Sequence, residues 1–510
     1  MKNEGLRKIS EGALIVLVGI VLSKLLGYVY RFIVARTGTE TYGMISTGLA
    51  AFSILSTIAL LGLDYAVTRY VSFYNQKAKS ERLTSTIKSA LGITTITSII
   101  LGVVLFVFSD QIAVSLFHVP ALSNVLKIFS FAIPLASIRN IFLAAARGFK
   151  KIEYEVYSKN LLENISRIIF TIIAIIIGSN LIGISVAYVL GILISLILSF
   201  YLSEKLISII REKSNISMSK ELLTYSIPLT VSTIFILFTM WIDTLMIGFF
   251  RTMSEVGVYN AVMPLSQMMH IFTMALVSLF LPVITEFYAR DQTNEIGKTY
   301  KVMLKWTAMV NIFFLFLFIF FPSQILTILF GQSYAIGKTA LIIISLGYFI
   351  YSFSLVSFQV LITFKKTLPI MYISIITTLI NVVLNYFLIP KMGIDGAAIS
   401  TSVSFVIFTV IIFIYSIKLT ESNPLDPRLL NVFASATITF ILLLLTRKMF
   451  YMSNKIPYII ILTIIFGLIY LVCLLLTKSF SREDVFVIKD IQQKTRINFN
   501  PVNNLLRRFI

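Results

Sequence analysis

Apolar residues run along this chain in long blocks, each closed by a short polar stretch. Fourteen blocks lie at about 11–33, 43–63, 86–108, 122–146, 160–179, 181–203, 222–249, 257–281, 299–321, 338–363, 368–388, 394–417, 429–449 and 457–477. They match the ~20 residues that a helix needs to cross the hydrocarbon core of a bilayer. Their length and their lack of two-residue alternation argue for helices over strands. "GSN" at 178–180 leaves only a tight turn between the fifth and sixth blocks. The pattern predicts an all-α integral membrane protein with 14 transmembrane helices. The first block has no small-residue cleavage site before the next polar stretch, so it is expected to be a retained span.

The polar separators repeat. "RTGTE" (36–40) returns as "RTMSE" (251–255), and "FSDQIAVSLF" (108–117) as "FPSQILTILF" (321–330). "FKK" (149–151) returns as "FKK" (364–366), and "GISVA" (183–187) as "GIDGA" (393–397). The offsets stay between 210 and 215 residues, and each phrase falls at the same place in a six-helix unit. A fixed period of this kind marks duplication. The expected organisation is one lobe over 1–205, a second over 206–420, two additional helices over 421–477 and a basic tail over 478–510. Six is even, so the lobes insert the same way up. Such parallel repeats enclose a substrate path near the membrane midplane.

Composition fits a membrane protein: 57% of residues are hydrophobic and 13% charged, against about 25% charged in soluble domains. A net charge of +20 in a soluble protein would suggest nucleic acid. Here the basic residues sit mainly between the blocks or near their ends, 30 on one side of the alternation and eight on the other. That bias predicts cytoplasmic N- and C-termini. No basic stripe with interleaved aromatics stands on a polar domain, so no nucleic-acid partner is expected. The single cysteine, Cys473, excludes a disulfide framework and metal sites built on paired cysteines. No P-loop pattern appears, and no Asp-x-Asp or His/Glu cluster. Direct use of ATP and a membrane enzyme such as a glycosyltransferase are therefore not expected.

Several longer stretches resemble one family. "VARTGTETYGMISTGLA" (34–50) and "LGLDYAVTRYVSFY" (61–74) are similar to the first-lobe opening of polysaccharide transporters. These form a branch of the multidrug/oligosaccharidyl-lipid/polysaccharide flippase superfamily. "YSIPLTVSTIFILFTMWIDTLMIGFF" (225–250) followed by "EVGVYNAV" (255–262) resembles the second-lobe opening. "FLPVITEFYARDQTNEIGKTY" (280–300) resembles the eighth-to-ninth loop. The resemblance implies a V-shaped transporter that flips lipid-linked oligosaccharides, carried on a polyprenyl phosphate or pyrophosphate, across the cytoplasmic membrane. Its expected partners are that lipid-linked sugar and membrane lipids, with the chain acting as a monomer. No cofactor is expected beyond a coupling proton or Na⁺. A multidrug or cation antiporter is the alternative on the same architecture.

Charges inside the blocks point to sites. A charge at bilayer depth costs about 2.5–3.5 kcal/mol on insertion scales and by default suggests function. Lys24 and Arg31 share a face of the first block; Lys127 and Arg139 lie in the fourth, Glu163 and Arg167 in the fifth, Asp243 in the seventh. A translocated phosphate needs a polar cavity that offsets its desolvation. Arginine suits it, because its planar fork gives two hydrogen bonds. Arg139, just past Pro134, is the first candidate for substrate binding, followed by Arg167, Lys24 and Arg31. Structural readings stand beside these. Glu163 and Arg167 are four apart and suited to a helical salt bridge. Arg31 and Lys127 lie close enough to block ends to reach headgroups.

Asp243 and Glu163 are the candidates for ion coupling or a gate. Asn381 and Asn385 read as contacts between helices, and His270 in "QMMHIFTM" as packing. Pro228, Pro264 and Pro282 are expected to let their helices bend. "SREDVFVIKDIQQK" (481–494) suggests an interfacial helix, and "NLLRRFI" (504–510) a contact with anionic lipid. An antiporter of cationic drugs would favour acids in its cavity, whereas this first lobe is basic.

Overall fold

A computed structural model of the protein describes residues 19, 21–77, 80–207, 216–422, 427–446, 456–481 and 484. The basic N-terminal residues, Arg447, Lys448, Lys455 and nearly all of the expected tail helix with "NLLRRFI" lie outside the described residues. Helix α1 runs over 21–35. It is followed by α2 (Thr39–Leu60), α3 (Leu63–Gln76), α4 (Ser80–Gln111), α5 (Leu122–Gly148), α6 (Glu163–Ile176) and α7 (Asn180–Glu204). Then come α8 (Ser219–Phe250), α9 (Met253–Ala289), α10 (Thr293–Phe320), α11 (Lys338–Thr363) and α12 (Thr367–Met392). The last are α13 (Ile394–Thr420), α14 (Pro427–Thr446) and α15 (Ile456–Leu476). Among the described residues ten helices are long and apolar enough to cross a membrane. This is a multi-pass membrane protein. By packing, the chain forms two compact units, Met1–Asn260 and Ala261–Ile510.

In the first unit, α2 stops where Leu61 and Gly62 both take left-handed backbone angles, φ 47° and 63°. The stretch after this break, left between blocks by the hydrophobic pattern, forms a separate helix, α3. It buries Leu63, Ala66, Val67, Val71 and Tyr74, an i, i+3, i+4 stripe. The stripe packs with Leu83 and Ile87 of α4, Ile141 of α5 and Leu222 of α8. A Cβ at Gly62 would lie 2.7 Å from the Ser226 carbonyl oxygen, so glycine serves both the turn and the approach of α8.

Helix α5 is continuous through Pro134. Proline cannot donate to the carbonyl four residues earlier, on Ser130. That carbonyl faces Gly102 of α4, where a Cβ would be 3.0 Å from its oxygen. Close packing of α4 thus covers the defect. Lys127, expected to reach for headgroups, instead lies 2.8 Å from the Asp110 carboxylate at the end of α4.

In the second unit the Tyr300 hydroxyl lies 2.7 Å from Ser357 Oγ and 2.8 Å from Ser416 Oγ, joining α10, α11 and α13. Asn381 Nδ2 donates to Thr401 Oγ1 at 3.1 Å, and Asn385 Nδ2 to Asn381 Oδ1 at 3.1 Å. These link α12 to α13. The His270 ring packs 5.8 Å from that of Tyr351. Lys305 is buried on α10. It lies 2.6 Å from Asp484, whose other carboxylate oxygen accepts from Trp306 Nε1 at 2.7 Å. The Ser481 amide donates to Asp484 at 2.7 Å, as in a capping box. The chain after α15 is thereby fastened to α10.

Candidate functional site

Helix α1 presents Tyr30 and Arg31 side by side to two polar clusters within the first unit. The first cluster is built on α5, α6 and α7. Arg139 of α5 donates from Nη1 to Glu163 Oε2 at the start of α6, and from Nη2 to Asn140 Oδ1 at 3.2 Å. Arg167, one turn along α6, donates to Asn164 Oδ1. Its guanidinium lies 4.4 Å from the Tyr30 ring centre and 4.7 Å from that of Tyr188. Asn164 Nδ2 donates to Ser23 Oγ of α1 at 3.2 Å. Phe52 and Phe129 pack on Tyr188 behind this cage.

The electrostatics of this cluster are unbalanced. Arg139, Arg167 and Glu163 are 4%, 9% and 8% exposed. Among the described residues the cluster holds two guanidiniums and one carboxylate, which pairs with Arg139, while Arg167 has neutral partners. The negative faces of two aromatic rings offset part of its charge. Among the described residues three buried donors here lack a hydrogen-bond partner: Arg139 Nε, Arg167 Nε and the Tyr30 hydroxyl. Buried donors of this kind are normally satisfied. The arrangement suits an anion with several acceptor oxygens.

The second cluster lies where α2 crosses the start of α9. Arg31 Nη1 donates to the Tyr42 hydroxyl at 3.3 Å, which donates to the Asn260 carbonyl at 3.1 Å. Asn260 Nδ2 donates to Thr244 Oγ1 at 3.1 Å, and the Tyr259 hydroxyl to Asp243 Oδ2 at 2.6 Å. Thr39 Oγ1 and Ser254 Oγ are 2.7 Å apart. Backbones touch here: a Cβ on Gly43 would sit 1.8 Å from the Met253 carbonyl oxygen, and one on Gly257 1.9 Å from that of Thr39. Both repeated phrases, "RTGTE" and "RTMSE", therefore take part in one crossing.

The structure gathers Arg139, Glu163 and Arg167 in the first cluster, and Arg31 and Asp243 in the second. Lys24 stands apart, exposed on α1 beside Ser23. Glu163 turns to Arg139, 24 residues away in sequence, and not to Arg167 on its own helix. Tyr30, Tyr188, Asn164, Tyr259 and Asn260 were not foreseen. Their signal is faint, since an uncharged polar residue in an apolar block reads as packing. Among the described residues no group of three or more His, Cys, Asp or Glu could hold a metal ion.

Residues 9–288 match the family described as polysaccharide biosynthesis protein, and residues 228–387 match the MatE family. A probable low-salt glycan biosynthesis flippase from Haloferax volcanii is 26% identical over 200 residues, which span 39% of this chain but only 42% of that protein. An uncharacterized membrane protein from Methanocaldococcus jannaschii is 24% identical over 420 residues, 78% of this chain and 83% of its own. Among solved structures, the lipid II flippase MurJ in an inward closed conformation shares the fold. Its TM-score is 0.70 at 18% identity, covering 89% of this chain and 97% of that one.

Proposed function

Because this chain belongs to the polysaccharide biosynthesis protein family, we propose that it carries lipid-linked oligosaccharides across the cytoplasmic membrane for surface glycan assembly. It acts as a transporter and not as a catalyst. The observation that carries this reading is the excess positive charge among the described residues, with three donors lacking a partner there, at Arg139, Arg167 and Tyr30. A phosphate or pyrophosphate linking lipid to sugar supplies the missing negative charge and the acceptors. Lys24, exposed on the same helix, and Arg31 meet the headgroup on its way. A cationic drug would meet the wrong sign of charge, which disfavours the antiporter reading.

On this reading all fourteen apolar blocks cross the membrane, α1, α6, α8 and α15 adding to the ten helices counted above. Both termini face the cytoplasm, as the 30-to-eight loop bias favours. The lobes 1–205 and 206–420 rock about the substrate path in a monomer. Asp243, bonded to Tyr259, takes the coupling proton or Na⁺.

Reconstitution tests these roles. Proteoliposomes holding a fluorescent polyprenyl pyrophosphate-linked sugar should show protein-dependent translocation, and Arg139→Ala should abolish it while the protein still inserts. Equal rates would remove Arg139 from the mechanism. Imposing proton and Na⁺ gradients separately tests Asp243, and indifference to both ends the coupling role.

A further inference from the structure

We infer that Glu163 is a built-in competitor of the substrate phosphate: it holds Arg139 between cycles, yields it to the arriving phosphate and retakes it to drive release. The inference rests on the lipid-linked substrate proposed above. Two observations carry it. The first is the anion count, one carboxylate for two buried guanidiniums, with Glu163 on Arg139 while Arg167 is held by Asn164 and two tyrosine rings. A phosphate replacing the carboxylate on Arg139 keeps the charge-assisted hydrogen bonds. Its further oxygens are acceptors of the kind that Arg139 Nε, Arg167 Nε and the Tyr30 hydroxyl lack among the described residues.

The second observation is where Glu163 sits. It is the first residue of α6, directly after Val156–Leu162, whose hydrogen bonds follow the wider π pattern. Such stretches inside helices frequently accompany functional sites. A change of this segment to ordinary α geometry turns the residues that follow about the helix axis. It can carry Glu163 off Arg139 without breaking the helix.

The chemistry needs such a competitor. Two buried guanidiniums without a carboxylate would bind a pyrophosphate tightly and give it up slowly. A carboxylate tethered a few ångströms away acts at high effective concentration. It weakens binding and hastens release together.

The test is a split between KM and kcat for the polyprenyl pyrophosphate-linked sugar in proteoliposomes. Glu163→Gln keeps the shape and loses the charge. It should lower KM at least about fivefold, the low end of couplings between sites, and lower kcat with it. Glu163→Asp, with its charge withdrawn by one methylene, should fall between the two. A purely structural Glu163 would lower kcat or abundance and leave KM alone. KM equal to wild type in both variants, or in Glu163→Asp alone where Glu163→Gln does not fold, overturns the proposal. Failure of the wild type to move the sugar on either phosphate or pyrophosphate carriers overturns instead the substrate reading on which it rests, and this role with it.

Discussion

At Gly43 and Gly257 one methyl group has nowhere to go. The atoms it would meet are backbone carbonyl oxygens, 1.8 and 1.9 Å away, which cannot rotate aside as a side chain can. Gly43→Ala or Gly257→Ala should therefore destabilise by at least the ~1–3 kcal/mol of ordinary overpacking, read as an earlier thermal unfolding in detergent. Gly92→Ala on α4 is the contrast. Nothing lies within 4 Å of its added Cβ, so alanine should hold or raise stability by up to ~1 kcal/mol. At this scale the sequence was legible where charge interrupts an apolar block, as at Arg139, Arg167 and Asp243. Pairings were not legible. Glu163 chooses a partner on α5 because α7 packs against both α5 and α6, and no local spacing announces that.

At the scale of elements, hydrophobic patterning located helices well and their interruptions poorly. The break at Leu61–Gly62 turns on two left-handed residues, and α3 beyond it is too amphipathic to register as an apolar block. The fastening of α10 to the chain after α15 was hidden for another reason. Asp484 belongs to a stretch whose pattern suggests an interfacial helix, yet its carboxylate is buried against Lys305 and Trp306. Asp484→Asn removes the carboxylate paired with the buried Lys305 ammonium and should cost about 3–5 kcal/mol, measurable as a drop in melting temperature. Lys305→Met combined with Asp484→Asn removes both charges of the pair and should recover part of the loss.

At the scale of the whole molecule, the duplicated six-helix pattern and the lobe-opening phrases were visible in sequence, whereas their direct contact was not. That contact is open to a covalent test. Thr39 and Ser254 hydroxyls are 2.7 Å apart, within reach of one disulfide. In a Cys473→Ala background, Thr39→Cys with Ser254→Cys should cross-link on oxidation and stop translocation, with recovery on reduction. Full transport in the cross-linked state would show that this crossing stays shut throughout the cycle.

The same crossing is reciprocal. Thr39 meets Gly257 as Met253 meets Gly43, and each pair of equivalent positions is 214 residues apart. Identical partners related by a two-fold axis touch in this way. Were the two halves separate chains, this corner would be the patch by which each met its copy, and the covalent connection adds a tether to that seam.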